Sequence, residues 1–206
     1  MASELRLMVT TQAATEPDDR ELVRTIRAGD PDAFETLVRR KTSKVYALCY
    51  RVINNPEDAK DIAQLVFIKL WENLDKYDAQ YAFDTWLYRM VTNVAIDFMR
   101  NRQSRDNAVN SNLRLVKTSS DPEQATIVLR KEVENVFNDV ASVLTPKQKT
   151  VFVMREMQDI SSPEIAKILG CRESTVRNHL FNARKLMQHE LQQRYPEYAK
   201  LWKDRS

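Results

Sequence analysis

Four times in this chain a capping residue is followed at once by proline: Asp30-Pro31, Asn55-Pro56, Asp121-Pro122 and Thr145-Pro146. A short Asp, Asn or Thr side chain accepts hydrogen bonds from the unpaired N–H groups of a helix's first turn. Proline there forfeits only an N–H that would have had no partner. Each pair therefore predicts a helix start. Ser161, with Pro163 and Glu164 behind it, predicts another, as a capping box. Apolar residues recur at spacings of three and four after these signals, β-branched runs are scarce, and the 206 residues include only 2 glycines. The chain is expected to be all-α.

Taken in order, residues 1–17 are polar and aperiodic and are expected to be disordered. Asp18 or Asp19 caps a short helix carrying Leu22, Val23 and Ile26. Asp30-Pro31 opens a second, with a stripe of Phe34, Leu37, Val38, Val45, Leu48 and Cys49. Asn55-Pro56 opens a third, to about Leu74, apolar at Ile62, Val66, Ile68, Leu70 and Trp71. A fourth, from about Phe83 to Arg102, carries Trp86, Leu87, Met90, Val94, Ala95 and Phe98. Four helices on short loops predict a bundle over residues 18–103. Residues 104–121 turn to Asn, Ser, Asp and Arg without a period and read as a flexible linker. Extended, it spans about 60 Å, nearly two turns of B-DNA at roughly 35 Å each. A second small helical domain follows at 122–191, then a tail, 192–206, in which Tyr195, Tyr198, Leu201 and Trp202 fit either a helix folded back or a segment that docks on a partner.

The stretch Ser161–Leu191 is the most informative. Ile165, Ala166, Ile168 and Leu169 make one apolar stripe. Gly170 is suited to a left-handed stop. A second helix begins near Ser174 with Val176, Leu180, Ala183 and Leu186/Met187 inward. This is a helix-turn-helix. The outward side of its second helix, with Thr175, Arg177, Asn178, His179, Asn182 and Lys185, suits phosphates and base edges in a major groove; a solvated bundle face is the alternative. Residues 141–206 hold 12 Lys/Arg against 7 Asp/Glu, whereas residues 1–105 hold 16 of each. The positive excess sits with the helix-turn-helix.

No apolar run is long enough to span a membrane and the N-terminus lacks the order of a signal peptide, so a cytoplasmic protein without membrane insertion is expected. Cys49 and Cys171 are far apart and read as reduced structural residues. There is no nucleophile–base set, no phosphate-cradling glycine loop and no metal-spaced His/Cys group, so neither catalysis nor a cofactor is expected.

Several segments together carry a resemblance. Asp-Ala-Phe at 32–34, Asn-Pro-Glu-Asp-Ala-Lys-Asp-Ile-Ala-Gln at 55–64 and Phe-Asp-Thr-Trp-Leu-Tyr-Arg at 83–89 resemble region 2 of bacterial sigma factors. Leu-Thr-Pro-Lys-Gln-Lys at 144–149 through Ala-Arg-Lys-Leu at 183–186 resembles region 4. With no region 1 and no helical region 3, the outline is similar to the extracytoplasmic-function sigma factors. The resemblance implies a subunit that binds core RNA polymerase and promoter DNA. Asp58, Asp61, Gln64 and Leu65 would grip the β′ clamp coiled coil, with Leu65 where relatives commonly carry an acid. Tyr77 and Asn93 would build a pocket for an extruded −10 base, and Arg89, Arg100 and Arg102 would hold strand phosphates. Trp86 fits core packing or a stacking wedge. Arg172, Thr175, Arg177, Asn178, His179 and Lys185 would contact the −35 element, and residues near Val151 and Phe152 would meet the β flap. An anti-sigma factor is the further partner implied. A free-standing DNA-binding regulator and a sequestering adaptor are the competing functions.

Overall fold

The computed structural model describes residues 17–108 and 125–203; expectations for residues 1–16 and 109–124, and for the side chains of Leu201 and Trp202, lie outside the described residues. The described chain is helical, with no strand. In order it forms α1 (Asp19–Arg27), α2 (Pro31–Ile53), α3 (Pro56–Asn73), α4 (Phe83–Ala108), α5 (Ala125–Val140), α6 (Pro146–Phe152), α7 (Ser162–Leu169), α8 (Glu173–Arg194) and α9 (Pro196–Lys203).

The helix starts follow the chemistry of the caps. Asp18 accepts from the Glu21 N–H, Asp30 from Asp32 and Ala33, and Asn55 from Glu57 and Asp58. Thr145 with Gln148 and Ser161 with Glu164 form reciprocal capping boxes. The ends differ more from expectation. α4 continues through Ala108, beyond the point where a linker was expected at Ser104, because residues 103–108 contain no glycine or proline to stop it. α6 runs into a π-type turn, Val153–Met157, and Asp159 takes a left-handed φ of 53° before α7 begins.

α1–α4 pack around Leu37, Leu48, Val66, Leu70, Leu87 and Val91, all at most 1% exposed. α5–α8 pack around Val151, Met154, Ile165, Val176 and Met187. The two cores are continuous, because α4 lies against α6 and α7 and the end of α2 meets the π-type turn.

Lys41 is buried in the first half, only 3% exposed. Its ammonium bonds Asp19 of α1 and Asp84 of α4 and lies 5.6 Å from the centroid of the Phe83 ring. Burial pushes this amine down, but the two carboxylates outweigh it and hold its pKa above the ordinary value. At the other end of the chain the tail folds back. α9 packs on α8, Tyr198 donates to Glu132 of α5 over 2.6 Å, and Asp139 receives both Arg194 at 2.9 Å and Tyr195 at 3.1 Å.

Candidate nucleic-acid interface

α3 divides its apolar residues between two faces. Ile62, Val66 and Leu70, four apart, point into the bundle. Leu65, Ile68 and Trp71 point outward, 42%, 55% and 55% exposed. Asp61 and Gln64 are exposed beside them, so the outward face is an apolar stripe edged by a carboxylate and an amide. Phe34 of α2 steadies Trp71 edge-on, with ring centroids 4.7 Å apart. Asp58 is drawn aside into an ion pair with Arg102 of α4 at 3.2 Å. The sequence reading picks out Asp61, Gln64 and Leu65. It misses Ile68 and Trp71 as surface residues, although their three-residue spacing from Leu65 differs from the four-residue spacing of the buried set.

The second feature is a cleft between the C-terminal end of α3 and α4. It encloses about 310 Å³ and is lined by Lys69, Asn73, Lys76, Trp86, Met90 and Asn93, with Val94 and Asp97. An aromatic ring, two amides and two lysines around one opening can stack a planar base, bond its edge and hold the attached phosphate. Asn93 is exposed into this cleft, as its expected role requires. Tyr77 is not available to it. That ring is buried, 3% exposed, and its hydroxyl donates to the Tyr81 carbonyl over 2.7 Å. The short loop folds inward because Tyr77 packs between Phe83 and Trp86, at 5.3 Å from each. Tyr77 therefore supports Trp86 from behind. Trp86 leans on the core and also forms one wall of the cleft. Lys69, Asn73 and Lys76 were missed by sequence reading; their only signal is position on the last turn of α3 and the turn after it.

The three arginines expected on α4 separate. Arg100 is exposed near Asp97, at 3.7 Å, and Arg102 is held by Asp58. Arg89 points away from the cleft. Its guanidinium donates to the carbonyls of Ile168 at 3.2 Å and Lys167 at 2.6 Å, the last turn of α7.

In the helix-turn-helix, Gly170 ends α7 with φ 62°, and α8 starts at Glu173. Arg172, Thr175, Arg177, Asn178 and Lys185 are exposed on α8 or at its start. Arg177 is held by Glu173, at 2.5 Å, one turn before it. His179 is half-buried, and burial together with the Lys147 ammonium pushes its pKa below the ordinary value. Both causes favour the neutral ring, which presents one N–H donor. Asn182 donates to Asn178, and Phe181, 66% exposed, projects from the same helix. Val151 and Phe152 are buried, 0% and 3% exposed, so they serve the core and do not offer a surface.

Among the described residues no helix is long and apolar enough to cross a membrane, and no cluster of His, Cys, Asp or Glu could hold a metal ion.

Comparison with known proteins agrees with this geometry. Residues 37–105 match the family model for sigma-70 region 2 and residues 138–187 that for sigma-70 region 4. The chain is 30% identical over 181 residues to the ECF RNA polymerase sigma factor SigW of Bacillus subtilis, covering 84% of this chain and 96% of that protein. It is 31% identical over 187 residues to the RNA polymerase sigma-H factor of Pseudomonas aeruginosa, covering 86% and 96%. To the ECF RNA polymerase sigma-E factor of Escherichia coli K12 it is 32% identical over 183 residues, covering 84% and 94%. Among solved structures, CnrH in complex with the cytosolic domain of CnrY has a TM-score of 0.60 at 23% identity, covering 85% of this chain and 98% of that one. The sigma factor RpoE of Bartonella quintana, in complex with the anti-sigma factor NepR, has a TM-score of 0.56 at 17% identity, covering 77% and 96%. These two show the fold. With both region models matched in order and relatives alike over nearly their whole lengths, the chain belongs to the extracytoplasmic-function sigma factors of the sigma-70 family.

Proposed function

We propose that the chain brings core RNA polymerase to a promoter in the bacterial cytoplasm with division of labour between its halves and no catalysis of its own. The outward face of α3, with Asp61, Gln64, Leu65, Ile68 and Trp71, docks on the coiled coil of the β′ clamp. An apolar stripe bordered by a carboxylate suits a basic, amphipathic partner helix. The cleft walled by Trp86 and Asn93 accepts a base extruded from the −10 element, while Lys69, Lys76 and Arg100 hold the strand's phosphates. The exposed face of α8, from Arg172 to Lys185, reads the −35 element, with Arg177 released from Glu173 to reach a base edge. The second half meets the β flap through surface residues of α5 and α6. An anti-sigma factor is the fitting regulator, as for the RpoE structure whose fold this chain shares.

The observation that carries the reading is the cleft: a ring, amides and lysines converge there on the same half that bears the α3 face. Run-off transcription with purified core enzyme tests it. A single defined start dependent on this chain is expected. A chain that footprints a promoter alone and leaves core enzyme inactive would instead be a free-standing regulator.

A further inference from the structure

The connection between α3 and α4 is tied down from α1. After Asn73 the chain makes a single 3₁₀-type turn, Leu74–Lys76, and reaches Phe83 through a short loop. The loop's own bonds are local. Tyr77 and Tyr81 donate their N–H groups to the Leu74 and Asp78 carbonyls, the Gln80 N–H bonds the Asp78 carboxylate, and the Tyr77 hydroxyl bonds the Tyr81 carbonyl. Hydrogen bonds of such short range shape a loop but do not fix its place on the bundle. Arg27, the last residue of α1, reaches across. One nitrogen of its guanidinium donates to the carbonyls of Leu74 at 2.8 Å, Asp75 at 3.0 Å and Tyr77 at 2.6 Å.

That nitrogen carries two N–H groups. Three carbonyls share them, so all three must point at one spot. They lie where α3 gives out, at the negative end of its dipole, and such an end draws in a cation. Turning these carbonyls toward α1 leaves the other side of the turn to the cleft. There Lys76 donates to the Asn73 side chain at 2.7 Å, and both line the opening. The Tyr77 ring, carried by the same backbone, lies behind Trp86 with 5.3 Å between centroids. Lys76 and the support behind Trp86 therefore stand on backbone that Arg27 anchors. The anchor comes from outside the matched segment, because α1 precedes residue 37, where the region 2 match begins.

We infer that Arg27 is a positioning residue for the cleft: by gathering the Leu74, Asp75 and Tyr77 carbonyls onto α1, it fixes the turn that carries Lys76 and backs Trp86, and so sets how firmly an extruded base is gripped. The inference rests on the reading of the cleft as the receptor for a −10 base. It adds that the grip is controlled from a helix that does not touch the DNA.

The test uses full-length chain assembled with core polymerase, in the parent form and as Arg27→Met and Arg27→Lys. Arg27 is exposed, so neither substitution disturbs the core. The probes are a fluorescent single strand carrying the −10 sequence that the parent holoenzyme selects from a random pool, and the same strand made abasic at the base on which binding most depends. Arg27→Met should lose roughly tenfold in affinity for the intact strand, about the worth of one stacked base. It should lose nothing for the abasic strand or for core polymerase. Arg27→Lys, whose ammonium can still meet the carbonyls, should recover most of the loss. Equal losses on both strands, or a loss of core binding, would make Arg27 a general support of the fold and overturn the inference, as would an Arg27→Met holoenzyme that binds like the parent. Hydrogen exchange in the free chain judges the anchor separately: amides of residues 77–82 should exchange faster in Arg27→Met, and unchanged rates would refute the pinning. A parent holoenzyme indifferent to the missing base would instead sink the reading of the cleft, and the exchange rates would still decide whether Arg27 holds the turn.

Discussion

Trp71 offers a severe trial of the α3 docking face. Its ring is 55% exposed, and what is already covered lies against Phe34. Tryptophan side chains bury up to about 250 Å², so roughly 140 Å² remains for a partner to cover. At about 25 cal/mol per Å² that is ~3 kcal/mol, or roughly a hundredfold in Kd. Trp71→Ala should therefore weaken binding to core polymerase by one to two orders of magnitude. Ile68→Ala should cost about 1 kcal/mol on the same arithmetic, with fewer atoms removed. The fold should bear the loss, because the Phe34 contact is worth only about 0.5–1.5 kcal/mol beyond burial. Competition binding by fluorescence anisotropy gives the affinity, and a urea melt checks that the variant is folded. A folded Trp71→Ala protein whose Kd rises less than threefold would refute the docking face, since that much apolar area cannot be covered without consequence.

Three further outcomes are expected. Asn93→Ala should abolish permanganate reactivity of −10 bases in the polymerase complex while core binding persists; normal reactivity would exclude the cleft as the base's receptor. Arg177→Ala should weaken −35 binding by about 1–3 kcal/mol if the guanidinium pairs a base in bidentate fashion, read as fading of the footprint over that element alone. Lys149 carries a pH signature. Burial together with the like charge of Arg102 pushes its pKa down to about 8 in the fold against an ordinary 10.5, so the unfolded chain binds more protons between those values and the fold gains stability as pH rises through them. Cys49, whose thiol is pushed up to about 12 by burial, works in the opposite direction above pH 9. The useful readout is therefore the difference between parent and Lys149→Met: the variant should be the more stable at pH 7.5, by about 1–3 kcal/mol, and its advantage should roughly halve by pH 9.5. An advantage that does not change with pH would show that Lys149 keeps its charge freely solvated.

What could be read from the sequence followed the range of the interactions involved. Helix starts at Asp18, Asp30, Asn55, Thr145 and Ser161 are set by bonds spanning two or three residues, so the letters alone locate them. The helix-turn-helix was legible for the same reason, with Gly170 as its hinge. The far end of α4 was not, because a polar run without glycine or proline carries no stop signal. Tyr77 was misplaced because a loop tyrosine looks like a free aromatic until Phe83 and Trp86 close around it. Arg89 shows the limit most plainly. Its partners stand 78 and 79 residues away, and nothing in the local spacing of α4 distinguishes an arginine meant for phosphates from one resting on a neighbouring helix. Ile96 was the available clue, an aliphatic residue on the side of α4 that a bundle would leave wet.

The buried ammonium of Lys41 bears on how this protein can be dissected. The match to the region 2 family model begins at residue 37, whereas one of the two carboxylates that neutralise Lys41 belongs to Asp19. Trimming the chain to its recognisable region would remove that anion together with Leu22, Val23 and Ile26, stranding half a charge cluster and stripping the bundle of its lid. A fragment cut at residue 37 should express poorly or aggregate, and one begun at Pro17 should not.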